Sequence, residues 1–146
     1  MLWVGTDNSG VYYADVNKKI FRHYTYEPNN SVRAICVDNT GQIWVGTRNN
    51  GIIRMNRTRS SCMSFHYFPE NSKQPEESKK VRKIYKDNRG DIWIGTRNGL
   101  YHYNSQTTEI NHFTTTTQPS IPHNWVYAIN EDKNGMLWIG TWEGIA

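Results

Sequence analysis

A unit of ten residues recurs along this chain and decides what the chain can fold into. It reads Asp38-Asn39-Thr40-Gly41-Gln42-Ile43-Trp44-Val45-Gly46-Thr47, then Asp87-Asn88-Arg89-Gly90-Asp91-Ile92-Trp93-Ile94-Gly95-Thr96, then Asp132-Lys133-Asn134-Gly135-Met136-Leu137-Trp138-Ile139-Gly140-Thr141. A shorter copy, Leu2-Trp3-Val4-Gly5-Thr6, opens the chain. The tryptophans Trp3, Trp44, Trp93 and Trp138 are 41, 49 and 45 residues apart. Self-similarity at such a period marks a repeat architecture.

Each copy carries its own structural instructions. Asp-x-x-Gly between two apolar runs is a hairpin signal, because Asp bonds backbone groups two residues on and Gly accepts a left-handed conformation. The apolar-Trp-β-branched-Gly run after it reads as a strand buried on both faces. The strand before it carries Val32 and Ile35, Val81 and Ile84, or Val126 and Ile129. A spacing of three in a regular strand places each pair on opposite faces, so both faces ask for burial. A second glycine follows each Trp (Gly10, Gly51, Gly99, Gly144), then a third strand, then a fourth ending in His23-Tyr24, His66-Tyr67 or His112-Phe113.

The expected fold class is therefore all-β. Each repeat is a four-stranded antiparallel sheet of roughly 40 to 45 residues, a size typical of propeller blades. A sheet this small cannot stand alone, and radial stacking is the β-propeller solution. Each recurrent Trp would bury up to roughly 200 Å² between neighbours. We expect one partial propeller over residues 1–146, of about three repeats, in pieces 1–24, 32–68, 81–113 and 126–146. A closed propeller usually has about four to eight blades, so the chain reads as a piece of a longer protein, with self-association of copies as the alternative. The connection Phe68–Lys80 is polar, carries Pro69 and Pro75, and is expected to be mobile. Thr114–Pro122 is expected to be a turn-rich connection.

Composition agrees: 36% hydrophobic and 13% aromatic residues suit many short strands, and the net charge is +4. The densest basic stretch, Lys79, Lys80, Arg82, Lys83 and Lys86, reads first as a solvated face, with an anion-binding patch as the alternative. No nucleic-acid-binding module is recognisable. Cys36 falls in an expected innermost strand and reads as a small buried hydrophobe. With Cys62 it decides nothing about compartment.

Residues that recur with the period are scaffold: Trp3, Trp44, Trp93 and Trp138; Gly46, Gly95 and Gly140; Asp38, Asp87 and Asp132. So are His23, His66 and His112. His102 and His123 stand alone. No metal-ligand spacing, nucleophile motif or phosphate loop occurs, so no metal, cofactor or catalytic residue is expected. Function is sought where copies diverge on a shared rim. Arg48 and Arg97 follow Gly-Thr directly and could fork onto carboxylate or sulfate. Trp142 holds the same place, and the loop entering the last repeat carries Asn124 and Trp125. These five are the candidate ligand-binding residues. The alternatives are a propeller enzyme acting on glycans, a lyase or glycosidase, and a protein-interaction scaffold. The non-repeated acids Glu131 and Glu143 have no evident partner for catalysis.

The repeated Asp-x-x-Gly-x-(Ile/Leu)-Trp-(Val/Ile)-Gly-Thr resembles the two-component regulator propeller repeat over essentially the whole chain. That resemblance implies the periplasmic sensor of a Bacteroides-type hybrid two-component system, with a β-sandwich, membrane helix, histidine kinase, receiver and DNA-binding regulator in the parent protein. It implies an oligosaccharide as ligand, the remaining blades and a paired sensor (a homodimer of the parent) as partners, and no enzyme activity or nucleic-acid contact for this stretch. The basic rim suggests an acidic glycan. Family ligand residues lie in variable loops, so only the repeat frame carries over.

Overall fold

The computed structural model describes residues 1–7, 9–15, 17–18, 20–24, 31–55, 62–65 and 75–146. In chain order the strands are β1 (Leu2–Gly5), β2 (Val11–Asp15), β3 (Ile20–Tyr24), β4 (Val32–Val37), β5 (Ile43–Thr47), β6 (Ile52–Met55) and β7 (Cys62–Phe65). A short helix α1 (Pro75–Ser78) leads into β8 (Val81–Lys86), β9 (Ile92–Thr96), β10 (Gly99–Tyr103), β11 (Ile110–Phe113), β12 (Val126–Glu131), β13 (Leu137–Thr141) and β14 (Gly144–Ile145). They form antiparallel meanders: β1-β2-β3, β4-β5-β6-β7, β8-β9-β10-β11 and β12-β13-β14. The all-β expectation holds, and each sheet is a blade in sequence order.

The hairpin signal works as its chemistry requires. Asp87 Oδ1 accepts the backbone N–H groups of Arg89 at 3.0 Å and Asp91 at 2.9 Å. Gly90 closes the turn at φ 91°, and its N–H reaches the Asp87 carbonyl at 3.1 Å. The other carboxylate oxygen accepts the indole N–H of Trp93 at 2.9 Å. Asp38 holds Trp44 in the same way at 2.9 Å, and Asp132 holds Trp138 at 3.3 Å. One aspartate thus folds the turn and also fixes the ring of the following strand.

Blades stack through three apolar clusters. Trp3, Val32 and Ile35 pack with Ile43, Val45 and Ile53 between the first two blades. Trp44, Ile52, Val81, Ile84 and Tyr101 join the second to the third, with Ala34 and Cys36 at the margin. Trp93, Leu100, Val126, Ile129 and Ile139 join the third to the fourth. Ile121, in the connection read as turns, is buried in this last cluster. The first strands of successive blades, β4, β8 and β12, lie beside one another.

The structure corrects one expectation. Val32 and Ile35 do not face opposite ways. A β-bulge between Val32 and Ala34 shifts the register, as do bulges between Val81 and Lys83 and between Val126 and Ala128. An extra residue resets the alternation of a strand. Val and Ile then point the same way, both onto the Gly of the preceding blade. A Cβ on Gly46 would meet Val81 Cγ1 at 2.5 Å and Ile84 Cδ1 at 3.2 Å.

The approach to the third blade carries one turn of helix. Residues 75–78 are helical. Proline is pre-shaped for a first helical position, and Glu76 and Glu77 pair with Lys79 and Lys80. The residues before Pro75 in that connection, like His66, lie outside the described residues.

Candidate functional site

Two repeat positions meet on one rim of the stack. The first is the bulged residue: Arg33, Arg82 or Tyr127. The second follows Gly-Thr at the end of the second strand: Arg48, Arg97 or Trp142. The backbone ties the two neighbourhoods together. Arg48 N–H donates to the Ser31 carbonyl at 2.9 Å, and Trp142 N–H to the Trp125 carbonyl at 3.0 Å. Across blades, Gly51 N–H donates to Lys79 at 2.9 Å and Gly99 N–H to Asn124 at 2.7 Å. Each entering segment is therefore pinned to the loop after the preceding blade's second strand.

The side chains form a mixed cationic and aromatic surface. The Arg97 guanidinium lies over the Trp125 ring at 4.9 Å, and that of Arg82 over Tyr127 at 5.5 Å. Trp142 meets Trp125 edge-on at 5.7 Å and Tyr127 at 6.1 Å. Such contacts hold a guanidinium in place and keep its forked donors outward. Trp142 is 65% exposed. Burial lowers the Arg82 pKa, with Arg97 next in effect and smaller contributions from Arg33 and Arg48, against an opposing effect of Tyr127. A guanidinium stays charged at neutral pH, so the shift records burial first and the neighbouring arginines second. Among the described residues Arg97 pairs with Glu77, whose Oε2 lies 3.9 Å from Nη1. Arg97 Nε is buried without a hydrogen-bond partner among the described residues.

Of the five residues singled out from sequence, Arg97, Trp125 and Trp142 come together directly. Arg48 holds the equivalent place one blade away, with its backbone N–H on the Ser31 carbonyl, and is not in the ring contacts that join those three. Asn124 is committed to scaffolding: its Oδ1 accepts Thr115 N–H at 2.9 Å, and its carbonyl accepts Gly99 N–H. The sequence reading missed Arg33 and Tyr127, and took Arg82 only as part of the basic stretch from Lys79 to Lys86. Their shared place between the Val and the Ile of each first strand carried no signal, and the bulge that turns them to the rim leaves no residue signature.

The position of Arg97 is itself supported from below. Asn98 Nδ2 donates to Ser78 Oγ at 2.7 Å, and Ser78 Oγ bonds the Tyr101 hydroxyl at 3.0 Å. His112 stacks on Tyr101 at 4.0 Å and donates from Nε2 to the Asn98 carbonyl at 2.5 Å. His23 stacks on Tyr12 in the first blade and donates to the Ser9 carbonyl. The recurrent histidine is thus a brace for the rim loop.

The family description "Two component regulator propeller" matches residues 26–49, 75–98 and 120–143. Each match runs from an entering segment through two strands to the rim position after Gly-Thr. The chain carries the two component regulator propeller repeat. Among solved structures, these repeats are similar to the extracellular domain of the putative hybrid two component system BT4673 from B. thetaiotaomicron. Identity there is 24%, TM-score 0.73, covering 98% of this chain and 19% of that one. The corresponding domain of BT3049 from the same organism gives 22% identity, TM-score 0.61, and 98% and 24% coverage. Virginiamycin B lyase from Staphylococcus aureus gives 19%, 0.54, and 75% and 34%. At these identities the likeness shows the fold. The repeats span about a fifth of the length of the first of these domains. No curated protein matches the chain.

Proposed function

We propose that this chain is a non-catalytic part of a periplasmic propeller sensor of a hybrid two-component system, and that its arginine–aromatic rim takes part in binding an oligosaccharide. The observation that carries the reading is the exposed Trp142 set against Trp125 and Tyr127, with Arg82 and Arg97 stacked beside them. An exposed indole offers a flat apolar face for a sugar ring, and fixed guanidinium forks offer donors for its oxygens. The matched repeat and the extracellular neighbours support the sensor class. Among the described residues no helix is long and apolar enough to cross a membrane.

Signal would arise from differential binding. A ligand shifts a sensor pair only by as much as it prefers one arrangement over another. The partners on this reading are the remaining blades, a second sensor subunit and the kinase of the parent protein.

The likeness to a lyase raises an enzyme reading, and His102, Asp91 and Ser105 bear on it. Asp91 Oδ2 accepts from His102 Nε2 at 2.9 Å, and Oδ1 accepts from Ser105 N–H at 2.9 Å and Oγ at 3.0 Å. Both partners point at the carboxylate, and His102 stacks on Trp93 at 4.2 Å. A nucleophile needs its base within reach, so this cluster is a loop anchor, which favours the non-catalytic reading.

The deciding experiment is a screen of oligosaccharides by calorimetry on the full chain, repeated with Trp142→Ala and followed by product analysis. Saturable binding weakened at least about tenfold by the substitution, without turnover, is the expected result. Binding indifferent to Trp142→Ala would remove the rim from the site, and turnover would restore the enzyme reading.

A further inference from the structure

The rim has a direction. The bulged residue and the residue after Gly-Thr are Arg33 and Arg48 in the second blade, Arg82 and Arg97 in the third, and Tyr127 and Trp142 in the fourth. In the first blade the position after Gly-Thr is Asp7, which accepts a hydrogen bond from Ser31 Oγ. Going round the rim, the surface passes from an engaged acid, through two equivalent arginine pairs, to an aromatic platform.

We propose that this rim reads a linear glycan with acidic groups repeated along its length, one group over each arginine pair and an uncharged ring over Trp142. The inference rests on the oligosaccharide reading above and specifies its chemistry.

Three observations carry it. The two arginine pairs are equivalent in backbone position, since the same bulge and the same step after Gly-Thr produce both; Arg82 and Arg97 are stacked on rings and half-buried, whereas Arg33 and Arg48 are exposed. One carboxylate is shared: Glu77 stands 3.9 Å from Arg97 and also pairs with Lys80, so it offsets part of the charge of one arginine of the third blade. Arg97 also keeps a buried Nε without a partner. A bound polyanion would supply the acceptors that these guanidinium groups lack. Fixed forks match carboxylate and sulfate oxygens alike. A neutral sugar could use the platform at Trp142 but would bring no anion to either pair.

Uronate and sulfate share this chemistry, and the test separates them. Calorimetry on the full chain would use a galacturonate tetramer, a galacturonate dimer, a sulfated tetrasaccharide and a neutral cellulose tetramer. An acidic tetramer should bind at least about tenfold more tightly than the dimer and the neutral tetramer. Arg33→Gln and Arg82→Gln should each weaken it about tenfold and flatten its salt dependence, because each removes one charge-assisted contact. Lys133→Gln, on the turn at the other end of the strands, should leave affinity unchanged. Thermal unfolding of each variant confirms the fold.

An effect of Arg82→Gln without one of Arg33→Gln would overturn the repeated reading. Tight binding of the neutral tetramer alone would overturn the acidic one while leaving the oligosaccharide reading standing. If none of the four binds, the acidic reading falls, and the wider oligosaccharide screen with Trp142→Ala decides the reading beneath it.

Discussion

At the scale of single residues, the repeat is held by side chains that do two jobs each. Asp38 folds its turn and clasps Trp44. His112 covers Tyr101 and braces the loop that bears Arg97. Both jobs leave a mark on acid stability. Burial pushes the His112 imidazole below its ordinary value, and its bond to Asn98 offsets this only in part. An unfolded histidine takes its proton near pH 6.5. The unfolded chain therefore binds the proton first, so the contribution is whole above about pH 6.5 and lost as pH falls through the folded value. Asp38 follows at lower pH. Burial raises it, but hydrogen bonds from Thr40, Trp44 and Gln42 outweigh that and hold it below its usual value. Its contribution is present above about pH 4 and disappears below. The urea midpoint should fall between pH 7.5 and 5.5, and fall less in His112→Gln, which keeps an N–H donor but cannot titrate. An equal fall in both proteins would show that another group senses the pH.

At the scale of elements, the bulge in the first strand of each blade is what the fold and the site share. It turns Val81 and Ile84 together onto the glycine of the preceding blade, and it leaves Arg82 aimed at the rim. Packing between blades is therefore tight at one glycine. Gly46→Ala would press a methyl against Val81 and should cost about 1–3 kcal/mol, as overpacking does. Combining it with Val81→Ala should return part of that loss, since the two atoms occupy the same space. Denaturant unfolding of the four members of this cycle gives the coupling, and strict additivity would place the two residues out of contact. The bulge also marks the limit of what the sequence showed. Asp-x-x-Gly and the Trp strand were legible because turn chemistry and a buried strand each have fixed residue preferences. A bulge has none here, so Val32 and Ile35 read as facing apart, Arg33 and Tyr127 went unmarked, and Arg82 read as one cation of a solvated face. Arg48, Arg97 and Trp142 stood out because they diverge at one fixed step after an invariant Gly-Thr. The turn of helix at Pro75–Ser78 was too short for any periodicity to announce.

At the scale of the whole molecule, each blade lends one face and borrows another. The same Trp is a different residue energetically depending on whether a neighbour follows it. Trp44 is 0% exposed beneath the third blade, while Trp138, in the same clasp, is 50% exposed. Gly140 tells the same story: a Cβ there would meet only Ala128 of its own blade, at 3.1 Å, where Gly46 and Gly95 meet the next blade's Val81 and Val126. Sequence repetition thus fixes the clasp, but only stacking fixes its worth. In this chain Trp44→Ala should cost about 3–5 kcal/mol, the usual range for emptying a buried aromatic site. Trp138→Ala should cost distinctly less, because much of that ring already faces water. Acrylamide should quench Trp138 and Trp142 readily and Trp44 hardly at all, which single-Trp variants would show. If a further blade of this repeat is joined after Ala146, the cost of Trp138→Ala should rise toward that of Trp44→Ala and its quenching should fall. Equal costs before that addition would mean that the clasp, rather than the neighbouring blade, supplies the stability of each repeat.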